Sequence, residues 1–134
     1  HELLVLGRTL ESRIYDQPTF IEGVQRLALS RPDVSVRILV FDARDAAVSA
    51  HRLVALARQL TSRIAIRTVD TETCDRRDAL LVADGRGYVH RRSAELMEGF
   101  ADFNDPRAAR QLRNDFNQLW ERSLPDSELR RLLI

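Results

Sequence analysis

Apolar runs and segments of helical periodicity alternate along the first half of the chain. Residues 3–6 (LLVL) and 34–41 (VSVRILVF) predict buried strands, because both are almost wholly apolar and the second is rich in β-branched side chains. Between them, apolar residues recur at the spacing of one helix face: Ile21, Val24, Leu27 and Ala28. Thr19 and Glu22 have the spacing of a capping box, so we expect this helix to begin there and to end before Pro32.

The remainder of the chain predicts four strands and two helices. Strands are expected at 64–69, 79–83, 87–91 and 98–103. The pair Asp84–Gly85 is a hairpin-turn signal between two of them. Ser49 is expected to cap a helix, and Asp105, followed by Pro106, is expected to cap the last one. That last helix has an apolar stripe of Ala109, Leu112, Phe116, Leu119 and Trp120.

The order of these elements indicates the fold class. A β-α-β-α-β start, a β-rich stretch and a C-terminal helix predict an α/β fold with a mixed β-sheet and helices packed on its faces. The 134 residues, of which 44% are hydrophobic, suit a single domain over residues 1–134. Because the chain opens HELLVLG, without an initiator methionine and already in a strand-like run, we expect a fragment of a longer protein.

Charge and residue usage narrow the possible chemistry. The 21 basic and 20 acidic residues leave a net charge of +1, which predicts no strong bulk attraction to nucleic acid or to an anionic membrane. All the basic side chains are arginine, so mechanisms that need a lysine amine are excluded. Cys74 is the single cysteine, which excludes an internal disulfide and a Cys-based zinc site. We expect a cytoplasmic protein with no cofactor, no metal site and no membrane span.

Several segments, taken in order, resemble one half of the phospholipase D superfamily. ALLVAD at 79–84 is similar to the strand that carries the family motif His-x-Lys-x4-Asp, and RRSAE at 91–95 occupies the place of a Gly-Ser-x-Asn segment. EGFADFNDP at 98–106 and QLRNDFNQLW at 111–120 resemble a Glu-bearing strand and a long helix that ends in Leu-Trp. The resemblance covers most of the chain and implies a phospholipase D-like half.

The family's reactive pair is absent from this sequence. Arg77 stands at the position of the nucleophilic His, and Ala79 stands at the position of the Lys. The family reaction passes through a phosphohistidine, and a guanidinium that stays protonated cannot replace that nucleophile. We therefore expect no catalytic residue. The resemblance implies a non-catalytic domain that acts as a binding, dimerisation or accessory module.

An anionic ligand is the expectation that follows for the vestigial site. Arg77 is predicted to hold a phosphate or carboxylate group by paired hydrogen bonds. The other candidates for this site are matched to the family motifs or lie near them in the expected fold: Asp84, Ser93, Glu98, Arg92 and His51. The alternative is that Arg77 only pairs with Asp75, Asp78 or Asp84.

Partners are expected within the same protein or between copies. The apolar C-terminus and the two-half sites of the family favour a homodimer or a second domain of the parent chain. The domain also resembles bacterial segments that can follow a GNAT-type acetyltransferase domain, which would make it an accessory domain.

Two further hypotheses stay open. One is an active phosphodiesterase or nuclease whose rebuilt site uses His51 or His90. The other is a nucleic-acid-binding module, which would need the arginines of the hairpin region to cluster on one face: Arg76, Arg77, Arg86, Arg91 and Arg92. Asp42 also has two interpretations, since it directly follows the second strand and can either cap a turn or face a ligand.

Overall fold

A mixed β-sheet forms the centre of the computed structural model, which describes residues 1–8, 10–70, 75–93 and 98–125. Seven strands are present in this part of the chain: β1 (Glu2–Gly7), β2 (Ser35–Val40), β3 (Ile64–Thr68), β4 (Ala79–Ala83), β5 (Gly87–Arg91), β6 (Phe100–Asp102) and β7 (Leu124–Pro125). The helices of the same part are α1 (Ser12–Tyr15), α2 (Pro18–Ser30), α3 (Ala43–Ser49), α4 (His51–Gln59) and α5 (Pro106–Glu121). The predicted α/β class with a mixed sheet is confirmed.

The strand order is β6-β5-β4-β1-β2-β3-β7. Strands β1, β2 and β3 are parallel, so all three end at one edge of the sheet, which we call the carboxyl edge. Strand β4 lies antiparallel on the other side of β1, and therefore begins at this edge, while β5 ends there. The carboxyl edge is where open α/β sheets collect their ligands.

Helices cover the two faces of the sheet unequally. Side chains of α1 to α4 pack with Leu3, Val5 and Ile38 on what we call the first face. Helix α5 packs Ala109, Leu112 and Phe116 on the second face, together with alternate residues of β1 and β4. The predicted stripe of α5 thus faces the core, although Leu119 and Trp120 are only partly buried. On the first face Val89 of β5 stays 45% exposed, so the described residues leave the sheet uncovered near β5 and β6.

Two of the expected helix starts are wrong. Helix α2 begins at Pro18 with Gln17 as its N-cap, and no side chain caps it, so Thr19 and Glu22 form no capping box. Proline is favoured at the first helical position because its missing N–H would have no partner there. Ser49 ends α3 instead of capping a helix, and its hydroxyl donates to the carbonyl oxygens of Leu10 and Asp45.

The capping interpretation of Asp42 is confirmed, although the element it caps is a helix. Its carboxylate accepts hydrogen bonds from the backbone N–H groups of Arg44 and Asp45 at the start of α3. Asp105 caps α5 as expected, through the N–H of Ala108. Helices α1 and α3 and strand β7 were not predicted. Among the described helices, none has both the length and the apolar character needed to cross a membrane.

The predicted hairpin turn joins β4 and β5. Asp84 and Gly85 have φ angles of 56° and 64°, in the left-handed region, and the turn has three residues, 84–86, because Ala83 pairs with Gly87. Asp84 also bridges to β1, because its backbone N–H donates to the Glu2 carbonyl and its carboxylate accepts from the Glu2 N–H at 2.8 Å. The turn therefore helps to fix the register of β4 against β1.

Candidate functional site

A buried carboxylate, Asp78, is the centre of a polar network at the carboxyl edge. Asp78 directly precedes β4 and is 8% exposed. The Arg76 guanidinium donates to both of its oxygens, from Nε at 2.9 Å and from Nη2 at 2.5 Å. His90 lies on the neighbouring strand, opposite Leu80, and its Nε2 is 2.9 Å from Asp78 Oδ2. Asp78 thus holds one arginine and one histidine at once.

The same network connects the sheet to α5. Arg76 Nη1 lies 3.2 Å from a carboxylate oxygen of Asp115, which α5 contributes. The hydrogen bond that Arg76 donates to Asp78 is the largest cause that raises the pKa of Arg76, and Asp115 raises this pKa further, so the guanidinium stays charged. Burial by itself would raise the pKa of Asp78, but the hydrogen bonds from Arg76 and His90 and the charge of Arg76 outweigh burial and lower it.

The contact between His90 and Asp78 could serve either catalysis or structure. A carboxylate that orients a histidine is the usual support of a general base. Here, however, the Asp78 carboxylate already accepts two hydrogen bonds from Arg76. The positive charge of Arg76 reduces the ability of this carboxylate to stabilise a second cation. Because Nε2 of His90 faces Asp78, only Nδ1, the ring nitrogen nearer the backbone, remains for a substrate.

A second ion pair lies on the first face, at the end of β5. Arg91 is 7% exposed, and its Nη2 lies 3.0 Å from each carboxylate oxygen of Glu11, the N-cap residue of α1. Tyr15, the last residue of α1, is buried beside this pair. Burial, with a further contribution from the charge of Glu11 and against that of Arg91, raises the pKa of Tyr15 to about 12. This pair fixes α1 against the sheet.

A groove opens beside this pair on the uncovered part of the first face. It has a volume of about 310 Å³, and we call it the wing groove. Its lining includes Ile14, Tyr15, Leu81, Val89, Gly99 and Ala101. The volume is at the lower end of the range found for ligand pockets, and the lining is mainly apolar.

The candidate anion-binding residues do not form one site. Arg77 is exposed just before β4, at the carboxyl edge, whereas Asp84 follows β4 at the opposite edge. Seven residues of extended chain span roughly 23 Å, so these two side chains cannot hold one small anion. Ser93 is nearer to Arg77, because it follows β5 by two residues at the edge where Arg77 precedes β4 by two.

Three other candidates lie at separate places on the surface. The Arg92 guanidinium lies 5.4 Å from the ring centroid of Phe100, beside β6. Glu98 is exposed two residues before β6, and His51 is exposed at the start of α4. The expectation of a joint site is therefore wrong for Asp84, and the structure gives no contact that joins Arg92, Glu98 or His51 to Arg77 among the described residues.

The alternative for Arg77, an ion pair with Asp75, Asp78 or Asp84, is not formed among the described residues. The carboxylate of Asp78 is occupied by Arg76 and His90, and that of Asp84 by Glu2. Arg77 forms no hydrogen bond or ion pair with any described residue. An exposed guanidinium of this kind can bind an oxyanion without first breaking a bond within the protein.

The arginines of the hairpin region do not cluster on one face. Arg76 and Arg91 are engaged by carboxylates on opposite faces of the sheet, and Arg86 lies in the turn at the far edge from Arg77. A nucleic-acid interface built from all of them is therefore not supported. Within the described ranges, no group of three His, Cys, Asp or Glu side chains could hold a metal ion. Cys74 and Glu95 lie outside the described residues.

Sequence reasoning missed the network around Asp78, although part of it had a signal. The Asp84–Gly85 signal predicts that β4 and β5 lie side by side, but the register that sets Leu80 opposite His90, and so brings His90 next to Asp78, is known only from the structure. The contribution of Asp115 had no such signal, because it depends on how α5 packs across the sheet.

The family comparison covers almost the whole chain. Residues 1–132 match the family model described as Domain of unknown function (DUF7931). No curated protein and no solved structure matches the chain significantly. The likeness to the phospholipase D superfamily thus rests on the sequence motifs alone and stays a prediction. Because this match covers nearly the whole chain, the chain belongs to the DUF7931 family.

Proposed function

We propose that this domain is a non-catalytic binding module that holds an oxyanion, a phosphate or carboxylate group, at Arg77 on the carboxyl edge. The observation that supports the proposal is the exposed Arg77 guanidinium, which no described residue pairs, beside a carboxylate that is already fully occupied. The network around Asp78 fixes the backbone next to Arg77. A partner's acidic group would then meet a cation on a rigid support, which lowers the entropy lost on binding.

The proposal that the domain is non-catalytic is supported by the residues at the motif positions. Arg77 and Ala79 replace the nucleophile and the cationic partner of the phospholipase D-like motif. His90 has Asp78 on Nε2, and the charge of Asp78 is already balanced by Arg76. We further propose that the domain serves as an accessory module, either for a second domain of a parent chain or for a second copy of itself.

The binding proposal is tested by titrating the protein with inorganic phosphate at low salt and following amide chemical shifts. We expect the largest shifts at residues 75–78 and a loss of affinity of at least tenfold in Arg77→Ala. The matched control is Arg86→Ala, since Arg86 is also exposed but lies in the turn at the other edge. Equal phosphate affinity of Arg77→Ala and the wild-type protein would refute the proposal.

A second candidate function, an active phosphodiesterase, is favoured by one observation, the 2.9 Å contact between His90 and Asp78. It is tested by hydrolysis of a generic aryl phosphodiester across a range of pH. We expect no turnover above that of His90→Ala. His51→Ala is the control, because His51 is exposed at the start of α4. Turnover that His90→Ala removes and His51→Ala retains would replace the binding proposal with an enzymatic one.

A further inference from the structure

Strand β6 forms an exposed edge of the sheet. Its three residues, Phe100–Asp102, are all exposed, and in the described part of the chain its outer side pairs with no strand. Phe100 is 56% exposed and Phe103, just after the strand, is 99% exposed. An unpaired strand edge with two exposed aromatic rings is a template for pairing with another chain. We propose that β6 pairs antiparallel with β6 of a second copy of this chain, about a two-fold axis at Ala101.

The two-fold axis fixes which residues meet. With Ala101 opposite its own counterpart, Asp102 of one copy lies opposite Phe100 of the other, and Phe103 lies opposite Gly99. Directly opposed residues of antiparallel strands have their Cβ atoms about 4.5–5.5 Å apart. Each of these contacts occurs twice, because the interface is symmetric.

Charge complementarity supports this register. The Arg92 guanidinium is already held 5.4 Å from the ring centroid of Phe100. Asp102 of the second copy, opposite Phe100, would bring its carboxylate beside that guanidinium. Asp102 Oδ1 accepts from the Asn104 N–H at 2.9 Å, and this bond orients the carboxylate while leaving its second oxygen for Arg92.

Shape complementarity supports the same register. Gly99 lines the wing groove, and a Cβ at this position would collide with the His90 carbonyl oxygen, so glycine is required. Gly99 is itself exposed, and the almost fully exposed Phe103 ring of the second copy would cover it. Aromatic side chains that cover a glycine across a strand pair are a known means of stabilising a sheet edge.

A dimer of this kind would be concentration-dependent. The strand pairing covers only three residues on each side, and so we expect an interface at or below the standard size of roughly 800 Å² per partner. The proposal goes beyond the anion site: Arg77 lies outside β6 and its contacts, so Arg77→Ala should leave dimerisation unchanged.

The test uses one cysteine at the axis. In a Cys74→Ser background, Ala101→Cys should form an intermolecular disulfide, since the Cα separation of opposed antiparallel residues, about 4.5–5.5 Å, matches disulfide geometry. Val48→Cys in the same background is the control, because Val48 is 82% exposed on α3 and reports random collisions. Cross-linking no faster than in the control would overturn the proposed register.

Sedimentation velocity over a range of concentrations tests the partner contacts. We expect Asp102→Arg to raise the dimer dissociation constant about tenfold, by opposing like charges twice, and Arg92→Asp combined with Asp102→Arg to restore it. Phe103→Ala should weaken the dimer and Val48→Ala should not. A protein that stays monomeric at millimolar concentration, or a double variant that is no better than Asp102→Arg, would refute the proposal.

Discussion

The burial of Tyr15, which lines the wing groove, can be tested by titration at alkaline pH. The residue ends α1, is 5% exposed, and packs edge-on against Phe20 with ring centroids 5.3 Å apart. Burial is the main cause that raises its pKa from 10.0 to about 12, and Glu11 adds to it while Arg91 opposes it. The folded protein therefore favours the neutral phenol more strongly than the unfolded chain does.

The sign and size of the effect follow from linkage. A raised folded-state pKa contributes stability that is fully present below the unfolded value, about 10, and is lost as the pH rises through the folded value, about 12. A difference of two pKa units corresponds to about 2.7 kcal/mol in the limit of high pH. At pH 11, halfway between the two values, about 1.4 kcal/mol of this has been lost.

Tyr15→Phe removes the ionisation and keeps the ring. We expect its free energy of unfolding, measured in urea, to lie within about 1 kcal/mol of the wild-type value at pH 8. From pH 9 to pH 11 it should gain about 1.4 kcal/mol relative to the wild type. Tyr88→Phe, on the second face, is the control for loss of a tyrosine outside the contact with Glu11 and Arg91. A constant difference between Tyr15→Phe and the wild type across this range would refute the reasoning.

Two other variants test the elements around the site. Asp78→Ala should destabilise the fold by roughly 3 kcal/mol, because it leaves the part-buried Arg76 with Asp115 as its remaining described ion partner, and urea unfolding with Arg77→Ala as control measures this. Since the pKa of Asp78 is lowered, its contribution to the free energy of unfolding is present above the ordinary carboxyl pKa near 4 and is lost as the pH falls through the lowered pKa. If Asp78→Ala were as destabilising at pH 2 as at neutral pH, the assignment would be contradicted. Asp105→Ala should cost about 1 kcal/mol through loss of the cap on Ala108 N–H, and Asp105→Asn should retain most of the stability; equal losses in the two variants would exclude capping as the cause.

The hairpin and the last helix could be predicted because their signals are local. The left-handed conformation at Asp84–Gly85 is one that few other residue pairs adopt, so it locates the turn between β4 and β5, although the register follows from a turn of three residues that only the structure shows. Asp105 and Pro106 likewise start α5 through bonds to the next turn. In contrast, the helix after β2 is divided at Ala50, and Ser49 bonds back to Leu10, a contact that no local pattern shows.

The candidate site was only partly predictable, because the spacing of a motif along the sequence does not show which side chains are close together in the fold. The motif spacing, counted back from Asp84, assigned Asp84 and Arg77 to one site. Strand β4 lies between them, however, and places the two residues at opposite edges of the sheet. The partners that do converge at the carboxyl edge come from β5 and α5. Whether these partners come together depends on how the strands and α5 pack, and of this the sequence predicted only the hairpin turn.

Strand alternation explains why Ala79, at a position of the expected motif, lies apart from His90 and Asp78. Successive side chains of a strand point to opposite faces, so position 79 shares the first face with Leu81, which packs against the core of α1 to α4. Leu80 and Val82 face α5 instead, and His90, opposite Leu80, lies on that second face with Asp78. Ala79 and the His90–Asp78 pair thus lie on opposite sides of the sheet. Catalysis by His90 would have to take place on the second face, where Arg76 and Asp115 surround Asp78, whereas Arg77 is exposed and has no described partner. Arg77, and not His90, is therefore the residue to test first for a ligand.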